Sequence, residues 1–106
     1  MRSEENNSVI QLDKIRGFDW DAGNESKNQD KHAVAKLEAE EVFFNTPLLI
    51  LEDKKHSDKE PRFHALGKTD AARLLHLTYT LRGDKVRVIS ARDMHRKERR
   101  YYEENS

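Results

Sequence analysis

The stretch Arg62–Asp93 reads RFHALGKTDAARLLHLTYTLRGDKVRVISARD, and its periodicity decides the fold. In RFHALG, Phe63 and Ala65 fall on one face and Arg62 and His64 on the other. In RLLHLTYT (Arg73–Thr80), Leu75, Leu77 and Tyr79 share a face. Such alternation is the pattern of half-buried strands. KTDAA makes one turn, and RGD (Arg82–Asp84) makes a tight hairpin into KVRVIS (Lys85–Ser90), with Gly83 free to take positive φ. Consecutive strands joined by turns this short run antiparallel.

Upstream, LLIL (Leu48–Leu51) reads as a short apolar strand and EDKKHSDKEP (Glu52–Pro61) as a charged turn. Before it, AKLEAEEVFF (Ala35–Phe44) places Ala35, Ala39, Val42 and Phe43 on one helical stripe. Pro47 closes that segment, because a proline disfavours helical geometry in the residue before it. GFDWD (Gly17–Asp21) alternates like a short edge strand, and Asn24 offers the cap of a helix in the polar run Ala22–His32. From Met94 to the end the pattern is helical. Residues 1–16 are polar and read as a flexible extension. The expected architecture is α+β, in the order β-α-α-β-β-β-β-α. It makes one domain over residues 17–106, a small antiparallel sheet with helices packed on one face and the face carrying Arg62, His64, His76 and Arg82 left open.

Composition bounds the function. The chain has 106 residues, no Cys and 38% charged residues. That length fits one small domain, and the lack of Cys removes disulfide and thiolate chemistry and suits a reducing cytoplasm. No apolar run approaches the roughly 20 residues of a membrane span. The net charge of zero hides an asymmetry: residues 1–60 hold 9 Lys+Arg and 14 Asp+Glu, whereas residues 61–106 hold 11 and 6. A basic half suits a polyanion or an acidic partner, and equally suits two halves that neutralise each other.

Arg62, Arg82, Arg87 and Arg92 lie on or at the ends of strands that should be neighbours. Guanidinium groups hold phosphate bidentately at any relevant pH, so these four suit a backbone-cleaving nuclease. They also suit ordinary strand-edge ion pairs. The five histidines have no metal-ligand spacing, and Asp19 and Asp21 are joined by no further converging carboxylate, so no metal or cofactor is expected. The helix HRKERRYYEE carries its own carboxylates and reads as an amphipathic support, with direct DNA contact a lesser reading.

Several strings occur in a telling order: FDWD; Asn28, Lys31, His32 and Val34; Ala39 to Asn45; RFHALG; TYTLRGDKVRVISAR; and RKERRYYE. Together they resemble the BrnT family, the toxin half of a bacterial type II toxin–antitoxin pair, over about residues 17–104. The resemblance implies a RelE-like fold and RNA cleavage without a metal ion. It also implies neutralisation by a small BrnA-type antitoxin with a ribbon-helix-helix region, operator DNA being reached only through that antitoxin. The functional positions it implies are Lys31, His32, Glu60, Arg62, Arg82 and Arg92. Ala33 stands where the family usually has Gly, and Pro61 separates Glu60 from Arg62 where the family runs acidic directly into Arg. Those departures keep a second function in view, a catalytically degenerate homologue that binds the antitoxin and acts as co-repressor.

Overall fold

The computed structural model describes residues 16–20, 32–56 and 60–106. The hairpin is the organising feature. β4 (Leu74–Arg82) and β5 (Lys85–Asp93) pair antiparallel with Arg82 opposite Lys85, leaving Gly83 and Asp84 as the turn. Gly83 takes φ +63°, which a two-residue hairpin matched to strand twist requires. Between Thr78/Ser90 and Tyr79/Val88 the register shifts, so Ile89 is an extra residue on β5. Such a bulge lets both sides of the ladder keep their apolar set on one face.

β3 (Arg62–Lys68) pairs antiparallel with β4, and β2 (Leu49–Glu52) pairs antiparallel with β3. β1 (Gly17–Phe18) adds to the far side of β5 in parallel, giving the order β1-β5-β4-β3-β2. The sheet is therefore mixed: the expected antiparallel meander is present, and the expected edge strand joins it parallel. β5 also runs three residues beyond the expected Ser90, because Leu75 and His76 of β4 pair with Asp93 and Arg92.

Helix α1 (Lys36–Val42) lies over one sheet face. Val34, Ala39, Val42 and Phe43 pack there against Phe63, Ala65, Leu75, Leu77, Tyr79, Val86, Val88 and Ala91. Phe43 meets Tyr79 edge-on at 5.1 Å, and Phe63 stacks on Tyr79 at 5.4 Å. The approach of α1 depends on Gly67: a Cβ there would stand 2.7 Å from Val42 Cγ1. Ala33 and Ala72 both take positive φ, +53° and +67°, so Ala33 occupies a backbone conformation that suits Gly.

Helix α2 (Arg96–Asn105) lies on the opposite face. Its Tyr102 packs with Leu66 and Met94, flanked by Leu49 and Leu74, and the Tyr102 hydroxyl donates to the Pro47 carbonyl at 2.6 Å. Leu66 and Leu74 alternate with core residues, so they point away from α1. The two helices thus divide between the faces where one shared face was expected. The reason is the Leu49/Leu66/Leu74 patch at one end of the polar face, which Tyr102 of α2 covers together with Met94. Among the described residues, no helix is long and apolar enough to cross a membrane. The expected helix start at Asn24, the extension up to residue 15, and Lys31 lie outside the described residues.

Candidate active site

The face not covered by α1 carries the polar side of each long strand. Register fixes its rows. Arg62 pairs with Thr80 and Thr80 with Arg87, making one row. Arg82 lies two residues further along β4 on the same face. Leu66, His76 and Arg92 make another row nearer α2. Arg62, Arg82, Arg87 and Arg92 therefore share one face, Arg87 and Arg92 only because the bulge at Ile89 reverses the alternation between them. The rows of Arg92 and Arg62 are four β4 residues apart, roughly 13 Å, and Arg82 stands roughly 20 Å from the Arg92 row.

At the hairpin end, Glu60 accepts from Arg82 Nε at 3.2 Å, so the intervening Pro61 does not remove Glu60 from the arginines. Arg87 reaches Asp19 at 3.3 Å, which gives the first carboxylate of DWD a structural partner.

At the α2 end the geometry is tighter. Arg92 Nη1 and Nη2 donate to the two oxygens of Glu98 at 2.8 and 2.9 Å, and Nη1 also reaches the Asp93 carbonyl at 3.1 Å. Glu98 Oε1 accepts the His95 backbone N–H at 2.9 Å, so one carboxylate both caps α2 and holds Arg92. The Arg92 bonds hold the Glu98 pKa down to about 2 against the opposing effect of burial, with the His95 N–H, His76 and the Arg92 charge assisting. His76 is only 9% exposed. Burial first, then the Arg92 charge and His64, push its pKa down to about 4, while Glu98 acts in the opposite direction. Its imidazole is neutral at pH 7. Its Nε2 stands 4.0 Å from Glu98 Oε2, beyond hydrogen-bond reach, and its buried Nδ1 has no side-chain hydrogen-bond partner among the described residues. The His64 ring lies diagonally across the strands with centroids 5.0 Å apart. His64 Nε2 meets Asp53 at 3.0 Å and its Nδ1 meets the Thr78 hydroxyl at 3.2 Å. Between these side chains and α2 opens a cleft of about 530 Å³, lined also by Leu51, Leu66, Lys97 and Tyr101.

His32 is placed elsewhere. Its carbonyl accepts from Arg73 Nη2 at 3.2 Å, and Arg73 also binds Asp93 at 2.8 Å and Glu38 at 3.1 Å. Asp93 pairs with Leu75 of the core and so lies on the α1 side, opposite Arg92. Hydrogen bonds from Arg73 lower the Asp93 pKa against burial, with the charges of Arg73, Arg99 and His32 adding. Arg73 is a structural arginine that clamps the segment before α1 to the end of β5.

The sequence-expected residues therefore divide. Glu60, Arg62 and Arg82 share one end of the open face, Arg92 stands at the other, and His32 is near the Arg92 strand end on the reverse side. Individually, His64 and His76 read as structural, and Glu98 as part of a supporting helix. The signal for the pair was their placement on the polar side of adjacent strands; only the register brings the rings together. Among the described residues, no three His, Asp or Glu side chains group as a metal site.

The chain matches the family model described as "Ribonuclease toxin, BrnT, of type II toxin-antitoxin system" over residues 20–98. No curated protein matches it. Among solved structures, the crystal structure of the Brucella abortus ribonuclease toxin BrnT is similar in fold, with a TM-score of 0.58 and 19% identity, covering 76% of this chain and 97% of that one.

Proposed function

The chain belongs to the BrnT family of ribonuclease toxins of type II toxin–antitoxin systems, and from that premise we propose a metal-independent endoribonuclease that cuts cytoplasmic RNA by attack of the substrate's own 2′-OH. The observation that carries this reading is the presentation of Arg62, Arg82, Arg87 and Arg92 on one face of the sheet. The O2′–P bond forms and the P–O5′ bond breaks. The protein must accept the 2′ proton, stabilise the added negative charge and return a proton to the 5′ oxygen. Arg92 takes the charge of the phosphorane. Three of its five N–H donors, two on Nη1 and one on Nη2, meet Glu98 and the Asp93 carbonyl, so phosphate engages the other Nη2 and the Nε donors or displaces Glu98.

One RNA strand running along β4 meets Arg92 first and then Arg62 and Arg82, which hold flanking phosphates. Arg92 and Arg82 are too far apart along the strand to act on the same phosphorus atom without drawing together. The proton-transfer candidates are Glu60, beside Arg82, and the Lys31–His32 pair, of which His32 lies on the reverse side of the sheet from Arg92 and would have to move to reach it. The partner is a BrnA-type ribbon-helix-helix antitoxin, through which alone the toxin reaches operator DNA.

Arg92→Ala and Arg82→Ala test the arginine roles in an RNA cleavage assay. Loss of a preorganised charge-stabilising donor costs about 10²–10³ in rate, so Arg92→Ala is expected to fall by that much and Arg82→Ala by less. Cleavage at the wild-type rate in both sinks the assignment.

A second reading has its own observation. Arg82 and Arg92 are each already paired with a carboxylate, as a degenerate, antitoxin-binding co-repressor would permit. Expression of the chain alone decides between them. Growth arrest relieved by the antitoxin supports the enzyme, and unaffected growth with intact RNA supports the co-repressor.

A further inference from the structure

The cleft beside Arg92 has features that phosphate binding does not require. Its floor is apolar, from Leu51 and Leu66, and Leu51 is 46% exposed although it is a leucine on a strand. One wall is the ring of Tyr101, 43% exposed while its neighbour Tyr102 is buried. Beside Leu51 and Leu66 on the sheet lies the His64–His76 ring pair, each ring the cross-strand neighbour of one leucine. Two cations, Arg92 and Lys97, line the cleft with Glu98, whose charge Arg92 already meets through two bonds. The volume of about 530 Å³ lies within the roughly 300–1,000 Å³ of small-molecule sites.

Flat aromatic rings, an apolar floor and adjacent cations are the chemistry of an unstacked nucleotide. Single-stranded RNA is held by stacking its bases on aromatic side chains while basic groups hold the backbone. We infer that this cleft is a nucleobase subsite: one base of single-stranded RNA lies on Leu51 and Leu66 against the Tyr101 ring, and its phosphate meets Arg92 and Lys97. Both nitrogens of His64 are engaged by Asp53 and Thr78, so its ring contributes a flat surface, and His76 Nε2, beyond hydrogen-bond reach of Glu98, offers the polar contact to the base. An acidic peptide would use the two cations but leave the exposed Tyr101 ring and the histidine pair unexplained. The subsite rests on the RNA reading above and adds what that reading lacks, a place where one nucleotide identity is sensed beside the phosphate that Arg92 holds.

The test is an NMR titration of the isotope-labelled full-length chain with each of the four nucleoside 3′-monophosphates, and separately with inorganic phosphate. At least one nucleotide is expected to shift the ring signals of Tyr101, His64 and His76. Inorganic phosphate should shift only signals around Arg92 and Lys97. Stacking on one aromatic ring is worth about tenfold or more in affinity. Tyr101→Ala is therefore expected to weaken the nucleotide by about that factor and leave phosphate binding unchanged. Because the ring is exposed, this variant should keep the wild-type fold, and Leu51→Gln offers a second exposed, uncharged change in the same direction.

Identical shifts from nucleotides and phosphate overturn the subsite. Ring signals that move on adding antitoxin and with none of the nucleotides also overturn it, and make the cleft a protein-docking surface. RNA cleavage by the same preparation keeps the two claims apart. A preparation that cuts RNA without a base-dependent shift refutes the subsite alone, and one that shows the shift without cutting refutes the cleavage reading alone.

Discussion

Acidification from pH 7 to pH 5 should cost this fold about 2 kcal/mol through a single residue, His76. The imidazole is 9% exposed and sits between Arg92 and His64, with Glu98 and, more weakly, a backbone hydrogen bond favouring its charged form. Its pKa in the fold is about 4, against 6.5 for the ordinary side chain. Between those values the unfolded chain binds a proton that the folded chain refuses. Stability therefore falls as the pH drops from about 6.5, and this contribution levels off below about 4. At pH 5 the unfolded state gains about thirtyfold in weight from this group, which is about 2 kcal/mol; near pH 7 the gain is almost nothing. With a urea dependence of about 1–3 kcal/mol per molar for a small domain, the midpoint should drop by about 0.7–2 M. The assay is urea unfolding at pH 7, 6 and 5 for the wild type and His76→Phe, an aromatic replacement of similar size that cannot titrate. The variant should lose about 2 kcal/mol less than the wild type over that range. Every other histidine is common to both proteins and cancels in the difference. Equal losses in the two proteins would refute the argument, because His76 would then be free to take its proton inside the fold.

Two single-methyl changes should act in opposite directions. Gly67→Ala drives a Cβ to 2.7 Å from Val42 Cγ1 and should cost about 1–3 kcal/mol, read as a lower thermal midpoint. Ala72→Gly relieves a side chain held at φ +67° and should gain about 0.5–1 kcal/mol after the added freedom of the unfolded chain is counted. Arg73→Met leaves Asp93, Glu38 and the His32 and Ala33 carbonyls without their common donor and should cost about 1–2 kcal/mol at pH 7. Arg73 lowers the Asp93 pKa, so the part of that loss due to Asp93 should shrink as acid protonates it, which unfolding at pH 3 against pH 7 will show.

The strands were legible because each pattern is local. Phe63/Ala65 and Leu75/Leu77/Tyr79 alternate within their own segments, and Gly83 marks the hairpin wherever the rest of the chain goes. The parallel addition of Gly17–Phe18 was not legible, since a two-residue strand carries no directional pattern and its partner is more than sixty residues away. The division of the helices between faces depended on Leu66 and Leu74, apolar residues on the otherwise polar side of β3 and β4. Their local reading as strand residues was right, but the patch they form exists only after β3 and β4 pair.

The arginines followed the same rule. Strand alternation put Arg62 and Arg82 on the polar face, whereas Arg87 and Arg92, five residues apart on β5, share it only through the bulge at Ile89, and the separation of Arg92 from Arg82 needed the register. His64 and His76 are twelve residues apart and meet because His64 pairs with Thr78, two residues from His76. Glu98 was hidden by its helix: i, i+4 reading looks along α2, whereas its partner Arg92 lies on the preceding strand.

The most direct measurement is the chemistry of the cut ends. Purified protein, freed of antitoxin, is incubated with an oligoribonucleotide in excess chelator, beside the same oligomer carrying one 2′-deoxy sugar at the cleavage position. Cleavage by the 2′-OH predicts a 2′,3′-cyclic or 3′-phosphate on one fragment and a 5′-hydroxyl on the other, and an uncut bond at the deoxy sugar. A reaction abolished by the chelator, or one that leaves 5′-phosphates and cuts the deoxy-substituted bond at an equal rate, contradicts it.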